Sequence, residues 1–176
     1  YLTDTTGTET IFDMRAGIAT DTAPYFYLDG TTLKYKYGNT QVINGGTISA
    51  NTWHHVAVSR FANGTRMYLD GNQIGSTYVD NNNYGTTKPL FIGANFNLAN
   101  FFTGHIDDIR ISNSARYLDT TYTVPTSQIV GDNNCVFLTH LDGALNDTSI
   151  NEDIKVKQNL TFSGGATANF IDLYNT

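Results

Sequence analysis

Three segments decide how this chain folds: Trp-His-His-Val-Ala-Val-Ser-Arg (53–60), Met-Tyr-Leu-Asp-Gly (67–71) and Gly-His-Ile-Asp-Asp-Ile-Arg-Ile (104–111). The first and third place β-branched residues at alternate positions, which is typical of a strand with one buried face. The second ends in Asp70-Gly71, a strong hairpin signal, because a type I′ turn needs positive φ at both central residues. Together they predict strands joined by tight turns.

The same succession of strand and turn recurs along the chain. Residues 25–28 lead through Asp29-Gly30 into residues 31–37, and residues 55–60 lead through Asn63-Gly64 into the next predicted strand. Three such turns and no convincing helical periodicity indicate an antiparallel all-β fold. The strand spacing favours a two-sheet sandwich, with one short helical turn at 112–119.

One predicted strand shows the alternation clearly. Leu33, Tyr35 and Tyr37 share one face, and Lys34 and Lys36 share the other. Successive side chains of a strand point to opposite faces of its sheet. The apolar set is therefore expected to face the core.

Composition and charge exclude several classes of protein. Of the 176 residues 40% are hydrophobic and 15% charged, with 11 Tyr and 10 Phe, which is unlike a disordered chain. The formal net charge of −6 argues against a nucleic-acid partner. No apolar run approaches the ~20 residues of a transmembrane helix, so no membrane insertion is expected. The lone Cys135 is expected to be a small buried hydrophobe.

Four motifs follow one another in a fixed order. They are Trp53-His54-His55-Val56-Ala57, Tyr68-Leu69-Asp70-Gly71, Leu90-Phe91-Ile92-Gly93 and Phe102-Thr103-Gly104-His105-Ile106-Asp107-Asp108-Ile109-Arg110-Ile111. Their order and spacing, over roughly residues 11–125, resemble the laminin-G-like domains of the concanavalin A-like lectin/glucanase superfamily. The resemblance implies an antiparallel two-sheet jelly-roll β-sandwich. Residues 114–117 and 124–126 are similar to the version common in structural proteins of marine bacteriophages.

The C-terminal part departs from that family in order. Residues 132–143 are similar to the opening strand of the same phage modules, in which this strand precedes the Trp-His-His strand. Two alternatives follow: the chain is cut from a tandem array, or its last strands complete the same sandwich or that of a neighbouring subunit. We therefore predict a laminin-G-like sandwich at 1–126, with its early strands absent before residue 1. A segment at 131–176 then completes this sandwich or begins a second module.

The carboxylates do not form a glycosidase motif. Glycosidases of this superfamily carry catalytic carboxylates at alternate positions of one strand, so that both face one cleft. The only glutamates are Glu9 and Glu152, and neither lies in such a motif. The adjacent Asp107 and Asp108 are expected to point to opposite faces. We therefore expect no enzymatic activity.

Two further polar pairs are assigned structural roles. His54 and His55 are neighbours on a predicted strand and face opposite ways, so they cannot chelate one ion between them. One is expected to pack near Trp53 inside, and the other to lie on the sheet surface. Asp108 and Arg110 share a face and are expected to form an ion pair.

Two loops between predicted strands combine amides with aromatic rings. Sugars present hydroxyls that need donors and acceptors, and C–H faces that stack on rings. Binding residues also concentrate on loops held by a rigid scaffold. The predicted ligand-binding residues are Asn81, Asn82, Asn83, Tyr84, Asn95, Phe96, Asn97 and Asn100. Calcium, which takes carboxylate and amide oxygens, is a second candidate ligand, with Asp80 and Asn82 as its predicted contacts.

These observations predict a non-enzymatic adhesion or recognition module, extracellular and located on a virion surface or tail appendage. Its expected partner is a glycan or another host-surface molecule. The alternative is a purely architectural module that packs against other virion subunits or forms a homo-oligomer. A relative of glycoside hydrolases is the third alternative.

Overall fold

Every regular element in the part of the chain that the structure describes is a β-strand. The computed structural model describes residues 1–17, 21–38, 40–84 and 88–141. No helix in these ranges could cross a membrane. The strands are β1 (Thr8–Asp13), β2 (Pro24–Asp29), β3 (Thr32–Tyr37), β4 (Thr40–Thr47), β5 (Val56–Phe61), β6 (Gly64–Leu69), β7 (Asn72–Val79), β8 (Phe91–Ile92), β9 (Ile109–Ser112) and β10 (Cys135–Thr139).

The strands form three antiparallel sheets. The largest has the order β4-β3-β2-β1-β8, a second has the order β5-β6-β7, and β10 pairs with β9. Side chains from the first two sheets pack into one core, so the predicted all-β antiparallel sandwich is confirmed. The helical turn predicted at 112–119 is wrong. The residues after β9 form bends and lie over the second sheet, where Tyr117 packs on Tyr68 with ring centroids 5.8 Å apart.

Strand alternation selects the core. Phe26, Leu33 and Tyr35 are almost fully buried and belong to one core cluster with Met67, which β6 contributes from the opposite sheet. This confirms the inward face predicted for Leu33 and Tyr35. Burying one such side chain stabilises the fold by about 1.5–3 kcal/mol.

The three predicted hairpins form, but only one turn has the predicted centre. Asp70 and Gly71 have φ of +49° and +80°, as a type I′ turn requires. The β2–β3 turn is instead centred on residues 30–31, because Asp29 pairs with Thr32. Likewise the β5–β6 turn is centred on residues 62–63. In both cases strand pairing sets the register: Gly30 becomes the first central residue of its turn, whereas Gly64 becomes the first residue of β6.

Strand β10, in the C-terminal part of the chain, pairs with β9, which contains the end of the fourth motif. In the β10–β9 pair, Thr139 lies opposite Ile109 and Cys135 lies opposite Ser112. Cys135 is fully buried, as predicted. Residues 142–176 lie outside the described residues, so both alternatives for the segment at 131–176 stay predictions.

The predicted alternation at Asp107 and Asp108 is wrong. Both residues precede β9, and Asp108 has a φ of +49°, so the period of an extended strand does not apply to them. Asp108 does not pair with Arg110 either. Its carboxylate contacts Nδ1 of His140 and accepts a hydrogen bond from the backbone N–H of Ile129 at 3.3 Å.

The two histidines precede β5 and have separate partners. Nδ1 of His54 lies 2.7 Å from Oδ2 of Asp70, whereas Nδ1 of His55 lies 2.6 Å from the hydroxyl of Tyr122. The two rings therefore do not meet at one site.

Trp53 is a surface residue. Its side chain is 57% exposed, and its ring contacts Tyr1 and His105. The prediction that His54 or His55 packs beside Trp53 inside the core is therefore wrong. This stretch lies before the strand begins, so alternation does not fix which side of the sheet its side chains take.

Candidate functional site

The outer face of the five-stranded sheet carries polar and aromatic side chains. Because Phe26, Leu33 and Tyr35 fill the core, their neighbours along β2 and β3 point the other way. The strand register places Thr8, Thr10 and Asp13 of β1 opposite outward residues of β2, so these side chains also point outward. The outward side chains of these strands are Thr8, Thr10, Asp13, Tyr25, Tyr27, Asp29, Thr32, Lys34 and Lys36.

Two tyrosines and two cations form a row on this face. The rings of Tyr25 and Tyr27 stack with centroids 4.5 Å apart and an interplanar angle of 5°. The guanidinium carbon of Arg15 lies 4.0 Å from the centroid of Tyr25, and Nζ of Lys36 lies 5.2 Å from that of Tyr27. Each ring uses one face for this stacking, so its cation lies over the remaining face. The two cations are therefore at opposite ends of the row. We call this set the tyrosine row.

A buried ion pair anchors one end of the row. Nε and Nη2 of Arg15 donate to the two carboxylate oxygens of Asp13 at 2.9 and 2.7 Å. Asp13 is fully buried and Arg15 is 5% exposed. The guanidinium also lies 4.7 Å from the centroid of Phe96, so a loop residue covers it. A bidentate pair of this kind fixes the geometry of both side chains.

The loop at 93–102 is held against this face by hydrogen bonds. The backbone N–H of Phe96 donates to Asp13 at 3.1 Å, and that of Thr10 donates to the carbonyl of Asn100 at 2.9 Å. Within the loop, Oδ1 of Asn95 accepts the backbone N–H groups of Asn97 and Ala99 at 2.9 and 3.1 Å. Asn95 therefore organises the loop instead of presenting its carbonyl to a ligand.

The 93–102 loop and the tyrosine row enclose a polar groove of about 340 Å³. Asn97 and Asn100 are exposed there, and their side-chain amides make no hydrogen bond to any residue that the structure describes. Burial raises the pKa of Tyr27 to about 12. The groove is lined by Thr8, Arg15, Tyr25, Tyr27, Asp29, Lys36, Asn95, Phe96, Asn97 and Asn100.

The other predicted loop lies on the opposite side of the same sheet. The hydroxyl of Tyr84 donates to Asp80 and lies 3.3 Å from the hydroxyl of Tyr35, a core residue. Asn81 and Asn83 are exposed, and the side chain of Asn82 bonds to Asp80. The structure therefore brings together the four predicted residues at 95–100 and separates them from the four at 81–84.

The carboxylate of Asp80 is a hydrogen-bonded hub. It is fully buried and accepts from Thr65 at 2.7 Å, from Nδ2 of Asn82 at 2.8 Å, and from Tyr84, with Nε of Arg60 3.7 Å away. A cation would have to displace these donors. Calcium at Asp80 and Asn82 stays a prediction, which calorimetric titration with calcium would test.

A larger cavity, of about 450 Å³, lies between the sheets. Its lining is mainly apolar and includes Phe12, Val58, Ile92 and Ile111. Sugar binding needs paired donors and acceptors as well as apolar surface. The smaller polar groove is therefore the better candidate for a carbohydrate site.

Sequence reasoning did not identify the sheet residues of the groove. The alternation in residues 25–37 contains the signal, because it separates Tyr25, Tyr27 and Lys36 from the core positions. It does not say which loop covers them. That information comes from long-range contacts such as the hydrogen bond between Phe96 and Asp13.

Comparison with known proteins gives one match. The model of a family described as the concanavalin A-like lectin/glucanases superfamily matches residues 1–120, which is more than half of the 176-residue chain. Neither a search of curated proteins nor a search of solved structures found a match.

Proposed function

We propose that this chain, which belongs to the concanavalin A-like lectin/glucanases superfamily, is a carbohydrate-binding module that holds its ligand in the groove beside the tyrosine row. The observation that carries the proposal is the pair of exposed amides, Asn97 and Asn100. They stand on a loop whose backbone is otherwise bonded to the sheet and to itself. Such amides are available to a ligand without any rearrangement of the loop.

The chemistry of the groove suits a sugar. Each amide offers both a donor and an acceptor, and Tyr27 and Phe96 also line the groove. An aromatic ring can pack against the C–H face of a pyranose while the amides bind its hydroxyls. Preorganised polar groups of this kind lower the ordering cost of binding.

We propose binding without catalysis. A glycosidase needs two carboxyl groups flanking the scissile bond, about 5–9.5 Å apart depending on mechanism. Within the described ranges, Asp29 is the only carboxylate that lines the groove, and it pairs with Lys34. Asp13 is buried beneath Arg15 and Phe96.

We further propose that the module is carried on a virion surface or tail appendage and attaches it to host glycans. The resemblance of residues 114–117 and 124–126 to modules of phage structural proteins supports this. Labelled protein should bind intact marine bacterial cells and lose binding after periodate oxidation of their surface glycans. Binding that survives periodate would contradict the proposal.

Removing the two free amides is expected to weaken glycan binding by roughly 5- to 150-fold, because each of two hydrogen bonds contributes about 0.5–1.5 kcal/mol. The variant is Asn97→Ala combined with Asn100→Gly, since Asn100 has a φ of +52° that glycine accepts without strain. Affinities would be measured by calorimetry with the glycans that wild type binds on an array. The thermal midpoint should change little.

The matched control for this experiment is Asn81→Ala. Asn81 is an exposed asparagine on the other predicted loop, outside the groove. It should leave the affinity unchanged. If it abolished binding while the groove variant bound normally, the site would be the 81–84 loop.

One observation favours the architectural alternative. Phe61 and Val79 are 57% and 69% exposed, and the strand register places them on one face of the β5-β6-β7 sheet, on either side of Gly64. If copies of the chain pack through this face, light scattering should show an oligomer that Phe61→Ser dissociates. A monomer at high protein concentration would count against it.

A further inference from the structure

The tyrosine row ends in a cation that has no carboxylate partner. Among the described residues, two cations line the groove, Arg15 and Lys36, and Arg15 is paired with Asp13. On the same face, beside the groove, Lys34 is paired with Asp29. Lys36 contacts the face of Tyr27 and forms no ion pair with any residue in the described ranges. Its ammonium group lines the same groove as the free amides of the 93–102 loop.

The neighbouring charges leave the groove locally positive. Asp29 also lines it, but Lys34 offsets that carboxylate. The chain as a whole carries −6, so this local surplus is opposite in sign to the net charge. At physiological ionic strength charges act over about 8 Å, so a bound ligand responds mainly to the groups it touches.

We propose that the groove selects a carbohydrate bearing a carboxylate, such as a uronic or sialic acid unit, and that Lys36 binds this group. The inference rests on the proposed function. One unpaired cation suits one acidic unit at a time. The net charge of −6 disfavours a densely charged polyanion, so the expected ligand is a sparsely acidic glycan.

Paired probes test this directly. Sialyllactose is compared with lactose, and trigalacturonic acid with its methyl ester, by calorimetry at moderate salt. The member of each pair that carries the free carboxylate is expected to bind about tenfold more tightly, as for a hydrogen bond to a charged group. Raising the salt concentration should narrow the difference.

The decisive variant is Lys36→Met, which keeps an apolar stem against Tyr27 and removes the charge. It should lose the preference for the acidic probe while keeping the affinity for the neutral one. The control is Arg66→Met, which removes one positive charge from β6 in the other sheet and leaves the groove and its ion pairs unchanged. It should keep the preference.

The outcomes separate this inference from the proposed function. Equal binding of acidic and neutral probes, with dependence on Asn97 and Asn100, would overturn the role of Lys36 and leave a neutral-sugar lectin. An acid preference that Lys36→Met does not change would also overturn it. If a folded protein bound no glycan on a broad array, both proposals would fail.

Discussion

Replacing Asp80 with alanine is expected to lower the free energy of unfolding by about 3–5 kcal/mol, which is the usual cost of removing one partner from a buried charged network. The carboxylate is fully buried and accepts from Thr65, Asn82 and Tyr84. Without it these donors lose their acceptor, and the nearby guanidinium of Arg60 loses its counter-charge. Urea-induced unfolding would measure the loss.

The control is Asp119→Ala. Asp119 is an exposed aspartate, and the contact it provides to the hydroxyl of Tyr68 comes from its backbone carbonyl. Its replacement should change the free energy of unfolding by less than about 0.5 kcal/mol. Equal effects at the two positions would show that Asp80 does not hold this end of the sandwich together.

The pH dependence of stability gives a second test of the hydrogen bonds to Asp80. Burial alone would raise the pKa of Asp80, but hydrogen bonds from Tyr84, Thr65 and Asn82 outweigh it and hold the pKa below its usual 3.8. A depressed folded-state pKa contributes stability that is fully present above 3.8 and is lost as the pH falls through the folded-state value. The gap between wild type and Asp80→Asn should therefore shrink in strong acid.

The sequence alone was enough to predict the strands around the core, because the alternation of Leu33 and Tyr35 is a local property. Turn centres were less predictable. Strand pairing decides which residues are central, and it moved two of the three turns by one position. Asp108 shows where alternation fails, since its positive φ ends the regular period just before β9.

The candidate site was half predictable for a similar reason. Amides and aromatic rings in a loop are visible in the sequence, so residues 95–100 were found. The sequence does not show which face of a sheet a loop covers, so it predicts one binding set that includes residues 81–84, although Tyr84 points to the core side. The sequence also does not show that the side-chain oxygen of Asn95 accepts hydrogen bonds within its own loop.

Asp13→Ala is expected to have an effect of similar size, about 3–5 kcal/mol, because it leaves the guanidinium of Arg15 buried without a counter-charge. It also removes the acceptor of the Phe96 N–H, which ties the 93–102 loop to the sheet. Glycan binding should therefore fall even under conditions in which the variant is fully folded. Asp29→Ala is the control for stability, because its ion pair with Lys34 is partly exposed and should be worth at most about 1 kcal/mol.

A double variant distinguishes a coupled ion pair from two independent contributions. In Asp13→Ala/Arg15→Met no charge is left unpaired, and methionine can pack between the rings of Tyr25 and Phe96 that now enclose the guanidinium. The double variant should therefore be more stable than Asp13→Ala alone, since replacing both members of a buried pair by apolar groups is often close to neutral. Glycan binding should stay weak, because the loop still lacks its acceptor on the sheet. If the stability losses of the two single variants simply added in the double variant, Asp13 and Arg15 would not be coupled.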